Sequence, residues 1–105
     1  MVNEITDAEF KKEVLDEKKT VFVDFWAPWC GPCRMMSPVV ETVSEKYPQI
    51  KFCKIDTQAN MENAGAMHVS GIPCIIVFKD GKEVERLVGF RPEEEFEKAV
   101  KKYAK

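Results

Sequence analysis

The fold class predicted by this sequence is an α/β sandwich: a central sheet, parallel in part and antiparallel at one edge, with helices on both faces. Three observations carry that prediction. Val21–Trp26 is apolar on both faces except at Asp24, the pattern of a central strand covered on each side by helices. Helix-like and strand-like segments alternate between Asp7 and Met67. Asp80-Gly81 then joins two strand-like runs, and that dipeptide is a strong hairpin signal.

The elements follow in order. Thr6-Asp7-Ala8-Glu9 has the form of a capping box, with Ile5 and Phe10 placed as a hydrophobic staple. A first helix is expected from Asp7 to Glu17, burying Phe10 and Val14 with Leu15 beside them. The strand Val21–Trp26 leads through Ala27-Pro28-Trp29 into Cys30-Gly31-Pro32-Cys33. Met36, Val39, Val40, Val43 and Tyr47 then recur at helical spacing, in a helix that ends before Pro48 and that Pro38 should kink. Lys51–Asp56 reads as a strand, and Asn60 is the expected cap of a short helix carrying Met61, Ala64 and Met67. Gly71-Ile72-Pro73 breaks the chain before the strand Cys74–Phe78, and Glu83–Val88 is its hairpin partner. Pro92 opens a last helix with Phe96, Ala99, Val100 and Tyr103 on one stripe. Its acidic start and basic end match the helix dipole.

A chain of 105 residues, 45% hydrophobic, supplies one core, so a single domain over residues 1–105 is expected. The net charge of -2, with both signs scattered, gives no footprint for nucleic acid. The longest uninterrupted apolar run, Cys74–Phe78, is far short of the roughly 20 residues of a membrane-spanning helix. Met1–Phe10 carries Glu4, Asp7 and Glu9 and lacks the basic and apolar regions of a secretory signal. A cytoplasmic location is therefore expected, where Cys30, Cys33, Cys53 and Cys74 do not read as structural staples. One close cysteine pair in such a chain is redox-active or metal-binding.

The pair lies at a strand-to-helix junction, where open α/β sheets place functional sites. A thiolate at Cys30 would accept unpaired N–H groups of the first helical turn and meet the positive end of its dipole. A stabilisation of about 1–2 kcal/mol is about one pKa unit, which moves a thiol from about 8.5 toward neutrality. Cys33, one turn further in and below the surface, should stay protonated longer. The spacing suits a disulfide, with Gly31 letting the turn close and Pro32 fixing φ at no cost in donors. Zinc requires two further ligands; Cys53 and Cys74 are far apart and His68 stands alone, so the spacing disfavours it.

Asp24 is the second unusual residue. A buried carboxylate is costly, so its pKa should rise, and it can then accept and return a proton near neutral pH. Lys54, on the next strand, is a candidate partner. Trp26 reads as core, Trp29 as a wall that keeps water from the site, and His68 as a surface residue. Met35, Met36, Met61 and Met67 read as core filling.

The segment Trp26-Ala27-Pro28-Trp29-Cys30-Gly31-Pro32-Cys33 resembles the active site of the thioredoxin family, and the resemblance runs the whole chain. Asp24 matches the family's buried acid, Lys54 the lysine near it, and Pro38 the proline of the active-site helix. Gly71-Ile72-Pro73 matches the loop whose proline is cis and faces the dithiol, and Gly89 the glycine lining the substrate surface. The resemblance implies a five-stranded mixed sheet of order 1-3-2-4-5, flanked by four helices. On it, Cys53 and Cys74 lie on strands separated by Val21–Trp26 and should not bond each other. A lowered thiol pKa of this size is a known property of the family the chain resembles. Cys74 departs from the Thr that many members carry, and is expected on the inner side of the site, close to the dithiol.

What the resemblance implies is a reductant of protein disulfides. Cys30 attacks the target, and Cys33, deprotonated with the help of Asp24, resolves the mixed disulfide. Trp29, Gly31, Pro32, Ile72, Pro73 and Gly89 would hold the target's extended backbone. No cofactor is expected beyond the Cys30–Cys33 disulfide. Lacking a nucleotide-binding fingerprint, the chain would be recharged by a separate thioredoxin reductase, a flavoprotein or a ferredoxin-linked enzyme. The protein is expected to act as a monomer on oxidised target proteins. An isomerase or oxidase is the first rival, but such members often carry His between the cysteines where Pro32 stands. A non-catalytic subunit or processivity factor is the second.

Overall fold

Burying both faces of Val21–Trp26 requires a layer of chain on each side, and the computed structural model, which describes residues 1–105, supplies both. The strands are β1 (Val2–Glu4), β2 (Val21–Trp26), β3 (Lys51–Asp56), β4 (Cys74–Lys79) and β5 (Lys82–Val88), in the sheet order β1-β3-β2-β4-β5. β3 runs parallel to both its neighbours, while β4 is antiparallel to β2 and to β5. The thioredoxin-type sheet order expected from the resemblance is the observed one.

Alternation along β2 divides the core. Val21, Val23 and Phe25 face the N-terminal helical segment, with Phe10, Val14, Ile76 and Phe78. Phe22 faces helices α1 (Gly31–Ser44) and α3 (Glu93–Lys101), with Met36, Val40, Phe96 and Val100. The Phe22 ring lies 5.4 Å from Phe52 and meets Phe96 and Tyr103 edge-on at 5.9 and 5.7 Å. Each such pair contributes about 0.5–1.5 kcal/mol beyond its buried area. Asp24 shares this parity, so its carboxyl is directed toward the α1 side.

Four local expectations change. β1 has no apolar run to announce it; it exists because Val2, Asn3 and Glu4 align with Phe52, Cys53 and Lys54 of β3. The first helix is a 3₁₀ turn, Asp7–Glu9, followed by a π-helical turn, Lys11–Leu15. Its cap is partly as expected: the Glu9 carboxylate accepts from the Thr6 N–H at 2.9 Å and from its hydroxyl at 3.1 Å. The short helix α2 (Glu62–Ala66) is capped from a distance rather than by Asn60. The Asp7 carboxylate accepts from the N–H groups of Glu62 (3.0 Å) and Asn63 (3.1 Å), while Asn60 Oδ1 accepts from the Asp7 N–H at 3.0 Å. These bonds hold the first turn of the N-terminal segment from outside it. Finally, Met35 and Met61 are exposed rather than core.

The hairpin is built as its dipeptide predicts, with Asp80 at φ 53° and Gly81 at φ 76°. A Cβ on Gly81 would also stand 2.8 Å from the Leu15 carbonyl oxygen. Gly81→Ala is therefore expected to cost more than about 2 kcal/mol, from left-handed backbone and overpacking together. Urea unfolding measures this, and a loss under about 0.5 kcal/mol would show that the turn relaxes away from Leu15.

Candidate active site

β2 ends at Trp26, whose carbonyl accepts from the Thr57 N–H (2.8 Å) and hydroxyl (3.0 Å). The chain turns tightly, Cys30 N–H donating to the Ala27 carbonyl at 3.1 Å, and enters α1 with Cys30 as N-cap. Arg34 braces the loop by donating from Nη1 to the Pro28 carbonyl at 3.0 Å.

Cys30 and Cys33 are joined as a disulfide, their Cα atoms 5.2 Å apart. Cys30 Sγ accepts from the Cys33 N–H at 3.2 Å, so the sulfur takes the place of a capping side-chain oxygen. The sites of the two sulfurs are less different than expected: Cys30 is 5% exposed and Cys33 2%. Gly31 corrects another expectation. Its φ is not positive and an added Cβ meets nothing within 4 Å, so the turn does not need glycine to close.

Facing the dithiol, the Ile72–Pro73 bond is cis, as the resemblance implied. The Ile72 carbonyl oxygen lies 3.8 Å from Cys30 Sγ, and the Pro73 carbonyl accepts from the Gly89 N–H at 2.8 Å. That bond ties the start of β4 to the end of β5. Trp29 is 69% exposed, so it forms an open platform beside Cys30 rather than a wall against water. Trp26 is the partly buried tryptophan that packs against Ala27, Cys30 and Cys33.

Beneath the disulfide, Asp24 and Lys54 are in register on β2 and β3. Asp24 is 3% exposed, and burial pushes its carboxyl up to about 7, against the pull of the Lys54 charge. Lys54 Nζ also sits 5.5 Å from the centre of the Trp26 ring, within cation–π range. Asp24, Trp26 and Lys54 line a cavity of about 100 Å³ together with Cys33, Arg34 and Ser37. Sequence reasoning missed Arg34 and Ser37; the available signal was that Ser37 lies four residues after Cys33, on the same face of a helix. Lys54→Met is expected to raise the Asp24 carboxyl further, by removing the one charge that lowers it. Titration of the Asp24 carboxyl by NMR checks this, and an unchanged midpoint would mean the ammonium is screened by solvent.

Cys74 is not where it was expected. It pairs in register with Phe25 and packs among Phe25, Ile76 and Ala64, on the face of the sheet away from α1. Burial raises its thiol pKa, and raises that of Cys53 to about 11. Both are free thiols, on strands separated by β2. No group of three or more His, Cys, Asp or Glu side chains is arranged to hold a metal ion. A larger hollow of about 370 Å³ lies at the far end of β3, between the N-terminus and the end of α1, and contains no cysteine. No helix is long and apolar enough to cross a membrane.

An α/β sandwich with a disulfide at a helix N-terminus, a cis-proline loop against it and a buried acid below defines a dithiol–disulfide exchange protein. The thioredoxin family model matches residues 1–102. A thioredoxin of the alga Porphyra purpurea is 45% identical over 103 residues, covering 97% of this chain and 96% of the relative. Thioredoxins of Listeria monocytogenes and Bacillus subtilis are 44% and 43% identical, covering 98% and 93% of this chain and 99% and 93% of their own. The chain belongs to the thioredoxin family. It is a protein-disulfide oxidoreductase whose redox-active pair is Cys30–Cys33, and the family implies a reductase and target proteins as its partners.

Proposed function

We propose that this chain, acting as one domain and a monomer in the cytoplasm, reduces disulfides in other proteins. The observation that supports this best is the pairing of Cys30 at the N-cap of α1 with a buried acid beneath Cys33. In the reduced protein, the Cys30 thiolate keeps the Cys33 N–H as donor and attacks one sulfur of the target disulfide. A Cys30–target bond forms, and the other target sulfur leaves with the electron pair. Cys33 then gives its proton toward Asp24 and attacks Cys30 Sγ. The internal disulfide forms and the second target thiolate leaves. Two electrons have passed to the target, and a thioredoxin reductase, flavoprotein or ferredoxin-linked, returns them. No cofactor takes part beyond the disulfide itself.

Trp29, Gly31, Pro32, Ile72, Pro73 and Gly89 form the surface on which the target's extended backbone lies. Trp29 offers an exposed apolar platform. Lys54 limits the rise in the Asp24 pKa, keeping that carboxylate available near neutrality. On the reduced protein at pH 7, iodoacetamide is expected to alkylate Cys30 first and Cys33 several-fold more slowly. Peptide mapping of a time course reads the order. Equal rates, or Cys33 first, would reverse or erase the assignment of attacking and resolving thiols.

A further inference from the structure

The cavity under the dithiol is bounded by Asp24, Trp26 and Lys54 from the sheet and by Cys33, Arg34 and Ser37 from α1. Two of its lining residues carry buried polar atoms with no partner in the protein, Asp24 Oδ1 and Trp26 Nε1. A buried polar atom left bare costs about 1–3 kcal/mol, more when charged, so such atoms call for water or another polar group. About 100 Å³ gives room for it, and the walls offer the two to four polar partners a buried water needs. Asp24 is too deeply buried to exchange its proton with bulk solvent directly. Ser37 is exposed and lines the same cavity, one helical turn beyond Cys33. Of the cavity's side chains that reach solvent, only its hydroxyl both donates and accepts; Arg34 and Lys54 as cations can only donate.

We propose that Ser37 is a positioning residue for the resolution step, holding the water that links Cys33 to Asp24 and passing the Asp24 proton on to solvent. This rests on the reading of Asp24 as the acceptor of the Cys33 proton. The Cys33 S–H proton moves through the water to the Asp24 carboxylate, and the Cys33 thiolate displaces the target sulfur from Cys30. The protonated Asp24 then loses its proton along the Ser37 side of the cavity, ready for the next cycle. The charged groups that face Asp24 across the cavity are Lys54 of β3 and Arg34 of α1. Cys74 of β4 lies on the opposite face of the sheet, and α3 contributes no lining group.

The test is a single-turnover reaction of the reduced protein with a fluorophore-labelled disulfide peptide, resolving attack from release. For Ser37→Ala the ratio of release rate to attack rate is expected to fall about 5-fold or more, part of what positioned proton transfer contributes. Ser37→Thr, which keeps the hydroxyl, is expected to restore that ratio to within about twofold. Alanine is the better helix former at this exposed position, so folding is not at risk. A Ser37→Ala ratio within twofold of the parent, or a Thr variant as slow as the Ala variant, overturns the proposal. Asp24→Asn runs beside them: slow release there with normal release in Ser37→Ala removes only the role of Ser37. Normal release in Asp24→Asn removes the role of Asp24 and the proposal with it.

Discussion

Asp24→Asn is expected to stabilise the fold by up to about 4 kcal/mol above neutral pH and by almost nothing below pH 4. The size follows from the carboxyl's move from 3.8 to about 7, each unit being worth 1.36 kcal/mol. The direction follows from proton counting. Between pH 3.8 and about 7 the folded protein holds a proton that the unfolded chain has released, so stability falls as pH rises through that window. Below the window both states are protonated and the cost disappears; above it the cost is complete. Asn keeps the shape and never ionises, so the variant is spared the loss. Its resolution of mixed disulfides should slow at the same time, since no carboxylate remains to take the Cys33 proton. Urea unfolding at intervals from pH 4 to pH 8 gives the test. A difference that does not grow with pH, or a variant less stable than its parent at pH 8, would make Asp24 a structural hydrogen-bonding residue.

Cys33→Ser is expected to leave Cys30 able to attack and unable to let go. Well-oriented intramolecular reactions reach effective concentrations of about 10⁵ M or more, which no thiol in solution replaces. Turnover with a protein disulfide should therefore fall at least about 10³-fold. The target should accumulate as a covalent adduct on Cys30, visible as a mass increase that dithiothreitol removes. Cys30→Ser should lose turnover equally and form no adduct. Adduct formation on Cys33 of that variant, at a rate similar to that of Cys30 in the first, would mean the two thiols share the attacking role.

Several features could be read from the chain because their causes are local. β2 and β3 begin and end at the expected residues, since a strand-forming run bounded by turn residues is a property of neighbours in sequence. The hairpin at Asp80-Gly81 follows from two residues that tolerate positive φ. The dithiol at the mouth of α1 follows from a three-residue spacing and a proline that suits a first helical turn.

The rest was decided by contacts between distant segments. β1 is three residues long, and only the backbone of β3 makes it a strand. Asp7 caps α2 across more than fifty residues, an arrangement to which helical periodicity is blind. Cys74 illustrates the point most directly. Adjacency to Pro73 suggested the dithiol side of the sheet, but strand pairing sets it beside Phe25, whose neighbour Asp24 occupies the other face. A step of one residue along a strand reverses the face, so the side is settled by register and not by distance along the chain. The cavity that gathers Asp24, Cys33 and Ser37 has the same origin. The sequence alone singled out Cys30, Cys33 and Asp24, through residue type and short spacing. That Asp24, Cys33 and Ser37 line one cavity was decided by the packing of α1 on the sheet, because a shared cavity depends on which faces meet.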